Sequence, residues 1–371
     1  MNLLALNSGS SSLKFGLYRV GPSTIETLLA ESLSNAGEPE ALLRIQRLLE
    51  ASNLPPPDAI GHRVVHGGPQ LRRHCVIDDA VLQHLEAAAV FAPLHTPAAL
   101  SMIRSAQAHF PGLPQVACFD TSFHAGMPEL ARVLPIPGAF RSEGIQRYGF
   151  HGLSCESIVH QLGDDLPRRV IVAHLGNGAS ITAIRGGRSI DTSMGLTPTG
   201  GVIMGTRSGD LDPGLLVYLM RKKHFDAAML EDLVNRRSGL LGISGVGSDM
   251  RCLIEAAASN PDARLAIQMF CQSVGKQIAA MIAVLDGVDL IVFTGGIGEN
   301  HATIRAAICT GLSWIGVRLD DARNHSTNDP IHDATSRCRV RVLPSQEDEQ
   351  IARHAWALVP RKRLDTAIGK A

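Results

Sequence analysis

The chain of 371 residues predicts an α/β fold built from two related halves. Three observations carry this. Short apolar runs alternate with longer stretches of helical spacing. Polar glycine turns fall at the ends of the runs, where ligands of such sheets bind. A strand, glycine turn and alternating strand over residues 3–17 recur over 169–184, as expected of an internal duplication with a ligand cleft.

In the first copy, Leu3, Leu4, Ala5 and Leu6 read as a buried strand. Leu13, Phe15 and Leu17 alternate with polar or small residues, and Asn7-Ser8-Gly9 joins the two runs as a hairpin. Ser10, Ser12 and Lys14 then share a face, with Asn7 at the strand mouth. Hydroxyls plus one ammonium suit a phosphate chain, although a solvated hairpin face has the same make-up. Ala41, Leu42, Ile45, Leu48 and Leu49 predict a helix over 38–51, ended by Pro55-Pro56-Pro57. A strand over 59–65 carries Arg63 near its end and enters His66-Gly67-Gly68-Pro69. Helices over 78–92 and 98–109 follow, then a strand over 113–119 that opens into Asp120-Thr121-Ser122-Phe123-His124. The Pro- and Gly-rich stretch 135–148 is the expected boundary. It gives domains 1–146 and 147–351, with a terminal helix over 352–371 packing back on the first.

The second copy has a strand over 169–174, the break Leu175-Gly176-Asn177-Gly178, and alternation over 179–184. Residues 195–214 are dense in Gly, Thr, Asp and Pro, and a structureless stretch of that length is functional or mobile. Helices are expected over 215–223 and 228–236, and from Asn260-Pro261 to 285. A buried strand over 289–294 enters Gly295-Gly296-Ile297-Gly298-Glu299-Asn300, and a helix over 301–312 follows. After a strand over 340–343, Ser345-Gln346-Glu347-Asp348 has the pattern of a capping box for a last helix.

Composition narrows the function. With 45% hydrophobic and 19% charged residues the chain reads as a soluble globular protein. A formal net charge of zero disfavours nucleic acid and anionic membrane partners. No apolar run reaches a membrane span, and the N-terminus lacks a basic signal-peptide region. Seven scattered cysteines, none in a CxxC, fit reduced thiols in a cytoplasmic protein rather than a disulfide framework or zinc site. Gly200 and Gly205 have Walker spacing, but Thr206-Arg207 follows where Lys-Ser/Thr belongs. Gly176-Asn177-Gly178 begins a dinucleotide fingerprint and lacks its third glycine. This disfavours an oxidoreductase, and zinc-protease and serine-hydrolase motifs are missing.

The segments NSGSSSLK, HRVVHGG, FDTSFH, YGFHG, HLGNG, MGTRSGDLDPG, SGVGSDMR and FTGGIGEN occur in this order. Together they resemble the acetate kinase family, within the actin-like, sugar-kinase and heat-shock-chaperone superfamily. The likeness runs from Asn2 to about Arg353. It implies a duplicated actin-like ATPase fold of two domains with a central cleft. It also implies reversible, Mg²⁺-dependent transfer of the ATP γ-phosphoryl to acetate, giving acetyl phosphate and ADP. Propionate or butyrate are alternative acceptors and Mn²⁺ an alternative metal. A chaperone-like ATP-binding protein of the same superfamily is the non-enzyme alternative. A homodimer is further implied.

Phosphoryl transfer needs positioning and charge neutralisation, and the residues matched by the resemblance are of those types. Asn7 and Glu347 are implied beside the metal, which takes hard oxygen ligands. Lys14, His174, Leu175, Gly176, Asn177 and Gly178 are implied at the phosphates. Asp249, Met250 and Arg251, with Gly296, Ile297, Gly298, Glu299 and Asn300, are implied around the adenosine. Arg63 matches the carboxylate-binding arginine, since a guanidinium meets a carboxylate with two hydrogen bonds. Val65, Leu94, Phe150 and Pro198 are implied around the acyl group. His151 and Arg207 match stabilisers of the transferring phosphoryl. Asp120 matches the family's catalytic acid/base. A carboxylate has no proton to remove, so Asp120 is better suited to orienting Arg207 and metal-bound water. The sequence departs from the family pattern at Thr96, Met250, Thr199-Gly200 and Ser345-Gln346, positions that touch substrate and nucleotide preference.

Overall fold

A computed structural model describes residues 1–8, 12–34, 38–93, 95–326 and 329–360. Its contacts divide the chain into one unit of residues 1–119 with 347–371 and another of residues 120–346. This division precedes the Pro/Gly stretch at 135–148. The reason is visible in Arg147, whose guanidinium donates to the Thr192 carbonyl at 2.9 Å, tying the stretch to the second unit.

The first unit is organised on β1 (Asn2–Ser8), whose side chains from Leu3 to Leu6 are at most 1% exposed. β2 (Ser12–Val20) pairs antiparallel with it in a register that sets Asn7 opposite Lys14. β3 (Ile25–Ser34) extends the meander. The sequence pattern missed it because Leu28 and Leu29 stand side by side, and the register shift at Leu17/Tyr18 absorbs the extra residue. β4 (Ala59–Val64) lies parallel on the other side of β1, then β6 (Gln115–Phe119), with the two-residue β5 (Cys75–Val76) at the edge. The helix Glu38–Ala51 forms over the expected span and buries Ala41, Leu42 and Ile45 against Leu4, Phe15 and Leu17. A second core joins Val64 and Phe119 to Leu85 and Ile103, from the helices Asp79–Ala87 and Thr96–His109. The helix Glu347–Leu358 packs on β1, β2, β4 and β6. Residues 361–371 of the expected terminal helix lie outside the described residues.

The second unit repeats the strand order. β7 (Arg169–Leu175), β8 (Ala179–Arg185) and β9 (Arg188–Thr192) form the antiparallel meander. β10 (Leu290–Thr294) and β11 (Arg339–Val342) then follow in parallel on the far side of β7. The orders β3-β2-β1-β4-β6 and β9-β8-β7-β10-β11 correspond strand for strand. The helix Pro261–Leu285 is opened by Asn260, whose side chain accepts from the amides of Asp262 and Ala263. Gly295–Asn300, expected as a turn, is a short helix. Gly295, at φ +76°, makes the abrupt entry from β10 that a side chain disfavours. Among the described residues no helix is long and apolar enough to cross a membrane.

Candidate active site

The first unit gathers Asn7, Lys14, Arg63, Glu347 and Asp348. Asn7 is the penultimate residue of β1 and is 4% exposed. Its Nδ2 donates to Glu347 Oε2 at 3.2 Å and Asp348 Oδ1 at 2.7 Å, and its Oδ1 accepts from Arg63 Nη1 at 3.2 Å. Burial pushes the Asp348 carboxyl above its usual range. The Asn7 hydrogen bond opposes this, Glu347 adds to it, and the charges of Lys14 and Arg63 oppose it. Two neighbouring carboxylates, one of them buried, supply the hard oxygen donors that a divalent cation takes. Asp348 was not singled out from sequence. Its signal was the acidic run after Gln346.

Lys14 is exposed on β2 directly across from Asn7. Val65 follows β4 and is buried. Leu94, Ser10 and Gly9 lie outside the described residues, as does the side chain of Ser12.

The second unit gathers a different set. The turn after β7 is closed by the Gly176 amide donating to the Gly178 carbonyl at 3.0 Å. A Cβ placed on Gly178 would lie 3.2 Å from Arg207 Nη1 and 3.2 Å from His151 Nε2. Glycine, guanidinium and imidazole thus converge at one point. Arg207 Nη1 also donates to the Pro198 carbonyl at 3.2 Å, placing buried Pro198 beside it. Asn177 is exposed, and its carbonyl accepts from the Gly205 amide at 3.2 Å, which fastens the 195–214 segment to the turn.

His151 has a left-handed backbone, φ +57°, which is uncommon for a side chain of its size and clusters at functional sites. Neighbouring Gly149 has φ +75°. Buried Phe150, between them, is fixed through its carbonyl by His124 Nε2 at 2.9 Å, while His124 Nδ1 lies 2.8 Å from Ser189 Oγ. The role of His124 is therefore structural. Asp120, 1% exposed, follows β6, and its carbonyl accepts from the Gly152 amide at 2.8 Å, directly after His151. His151 and His174 stack with ring centroids 4.2 Å apart and planes 20° from parallel. Each turns its Nδ1 to a serine: His151 to Ser180 Oγ at 2.9 Å, His174 to Ser154 Oγ at 2.8 Å.

The remaining predicted residues lie in the same unit. Gly296 N lies 3.9 Å from a Cβ placed on Gly176, so the Gly295–Asn300 helix begins beside the turn. Gly296 and Asn300 are exposed while Ile297 and Gly298 are buried. The Glu299 carboxylate is engaged by the Gly295 amide at 2.8 Å and the Ser345 amide at 2.9 Å, so it braces the backbone. Asp249 caps the helix Met250–Ala256, and the Arg251 guanidinium beside it holds its carboxyl down to about 2. Met250 is buried and Leu175 fully so.

Sequence reasoning missed Arg305. It is 0% exposed and donates to the carbonyls of Gly298 and Glu299 and to Asn324 Oδ1, each at 2.9 Å, and also to the Asn324 carbonyl. It ties down the last carbonyls of the Gly295–Asn300 helix. Its sequence signal was a lone arginine on the apolar face of a helix, four residues after the His301 that follows the glycine segment.

A meander sheet occurring twice, with a phosphate-type glycine turn faced by arginine and histidine, defines the class: an enzyme of the actin-like ATPase fold that moves phosphoryl groups. The family model described as Acetokinase family matches residues 40–353. The acetate kinase of Methylocella silvestris is 41% identical over 96% of this chain and 98% of its own. That of Nitrobacter hamburgensis is 47% identical over 82% and 76%. Among solved structures, a propionate kinase from Francisella tularensis superposes with a TM-score of 0.89 at 37% identity, covering 96% of this chain and all of that one. The Porphyromonas gingivalis acetate kinase gives 0.84 at 34% identity, covering 97% and all of that chain. The chain belongs to the acetokinase family, kinases that use a carboxyl group as phosphoryl acceptor.

Proposed function

We propose that the protein transfers the γ-phosphoryl of ATP to acetate, forming acetyl phosphate and ADP, and runs the reverse reaction with the same groups. One acetate oxygen forms the new bond to phosphorus as the bond to the β-bridging oxygen breaks, and the displaced electron pair leaves with ADP. The convergence of Arg207 Nη1 and His151 Nε2 at Gly178 carries this reading. Two donors aimed at one small region meet the demand of a transferring phosphoryl, whose charge spreads over its equatorial oxygens.

In this reading the 174–178 turn and Lys14 take the phosphates, and residues 249–251 and 296–300 take the adenosine. Arg63 holds the acetate carboxylate, and Val65, Leu94, Phe150 and Pro198 contact its methyl group. Asp120, buried after β6, acts by orienting Arg207 and metal-bound water. Glu347 and Asp348, with Asn7 beside them, would hold Mg²⁺ (Mn²⁺ suits the same donors), which when bound neutralises phosphate oxygens. The protein works as a homodimer in the cytoplasm. Propionate is the second acceptor to consider, because the Francisella relative is a propionate kinase. One methylene in an apolar pocket changes binding by only about 1–3 kcal/mol.

Hydroxylamine trapping of the acyl phosphate, with Mg-ATP and acetate, propionate or butyrate, tests the assignment. Acetyl hydroxamate is expected in the largest yield. Folded protein that yields no hydroxamate with any of the three acids refutes it.

A further inference from the structure

His174 ends on the glycine turn, and its Nε2 lies 3.8 Å from a Cβ placed on Gly176. The useful state of that nitrogen depends on which nitrogen of the ring carries the proton. A lone pair on Nε2 repels phosphoryl oxygens, whereas an N–H donates to them. The other face of the ring decides between these states. His174 Nδ1 is 2.8 Å from the hydroxyl of Ser154, which lies in the helix Gly152–Leu162 and is fully buried. Ser154 Oγ in turn accepts a hydrogen bond from the Ser345 hydroxyl at 3.0 Å. Ser345 is held in place by its own backbone amide, which donates to Glu299.

A hydroxyl has a single proton. With the Ser345 proton pointing at Ser154 Oγ, the Ser154 proton needs an acceptor, and Nδ1 is the one this arrangement leaves for it. A proton on Nδ1 sets two donors against each other in a buried site, at the cost of an unmade hydrogen bond.

We propose that Ser345 and Ser154 are positioning residues that order a short hydroxyl chain and hold His174 with its proton on Nε2, as a donor to phosphoryl oxygen. This rests on the reading that the turn after β7 receives the phosphates of the nucleotide.

Nitrogen NMR of the histidine-labelled full-length protein at pH 8, with the His174 signals identified by their loss in His174→Gln, tests the proposal directly. The wild type is expected to show an unprotonated Nδ1 and a protonated Nε2. Ser154→Ala and Ser345→Ala are expected to move His174 toward a mixture of tautomers and to lower kcat about two- to tenfold, the worth of one hydrogen bond, with the acetate KM unchanged. Ser345→Thr is expected to restore both readouts. A proton on Nδ1 in the wild type overturns the proposal, even if neither alanine variant folds. So does an unchanged tautomer in Ser154→Ala. A protein that orders the tautomer as stated but gives no hydroxamate refutes the functional reading instead.

Discussion

Asn7 and Asp348 are joined by a 2.7 Å hydrogen bond across 341 positions of sequence. The same Asn7 side chain meets Glu347 through its nitrogen and Arg63 through its oxygen. One amide therefore sets a cationic and an anionic group side by side. On the metal assignment proposed above, Glu347→Gln removes a hard anionic ligand. Its Mg²⁺ concentration for half-maximal activity is expected to rise tenfold or more, while far-UV circular dichroism stays that of the wild type. A Mg²⁺ titration of initial rates decides this, and an unchanged midpoint removes Glu347 from the metal site.

Arg63→Ala is expected to raise the KM for acetate at least tenfold and to leave the KM for ATP within about threefold. A charge-assisted hydrogen bond to a carboxylate is worth roughly 1.5–3 kcal/mol. Arg63→Lys is expected to recover only part of the loss, because an ammonium cannot make the paired contact. Steady-state kinetics with each substrate varied in turn give the answer, and an effect confined to ATP reassigns the residue.

Arg207→Ala is expected to lower kcat on the order of 10³-fold, the scale of a guanidinium that stabilises a transferring phosphoryl. Gly178→Ala should fall in the same direction by at least tenfold. Its new Cβ would sit 3.2 Å from both Arg207 Nη1 and His151 Nε2, tighter than ordinary contact, and both must give way. Single-turnover phosphoryl transfer separates these effects from nucleotide binding. A loss below tenfold for Arg207→Ala rules out the proposed role.

Arg305 is a buried guanidinium whose hydrogen-bond partners are neutral oxygens. Arg305→Met leaves the carbonyls of Gly298 and Glu299 unsatisfied. It is expected to destabilise the protein by about 2–4 kcal/mol. It should also raise the KM for ATP more than that for acetate, because the helix it fastens is the one assigned to the nucleotide. Calorimetry with paired KM measurements checks both effects.

Burial lowers His62 from the ordinary 6.5 to about 4, against an opposing hydrogen bond to Gln115. Burial lowers His124 to about 4 as well, against the Phe150 carbonyl and Glu156. Between these values the unfolded chain binds more protons than the folded one. Stability is therefore complete above pH 6.5 and is lost as the pH falls toward 4, on the order of 3 kcal/mol for each ring. Tm measured across that range is expected to fall with acid. His62→Gln should flatten the slope for the unit that holds β1, and a slope unchanged by the substitution rules His62 out as a source.

Much of the fold was legible in the sequence because period-two and helical spacing report one-sided burial. The hairpin of β1 and β2, its recurrence in β7 and β8, and the helices Glu38–Ala51 and Pro261–Leu285 all follow from that rule. β3 escaped because its bulge breaks the alternation, and β9 because five residues with a single apolar side chain, Ile190, carry no apolar pattern. The Gly295–Asn300 helix escaped because its stability comes from Arg305 and Glu299, outside local propensity. In the site, residue types and order pointed to Asn7, Arg63, His151, His174 and Arg207. Asp348, Ser154 and Arg305 required coordinates, since their partners are far away in sequence.

The helix Glu347–Leu358 covers strands made earlier in synthesis, and residues 120–346 stand between the two in the chain. On the ribosome the later unit is thus complete before the earlier one can be. Until that helix emerges, Gly61 and Cys118 lack the Ile351 they pack against, and Asn7 lacks its carboxylates. The nascent protein holds one finished sheet and one waiting for its cover.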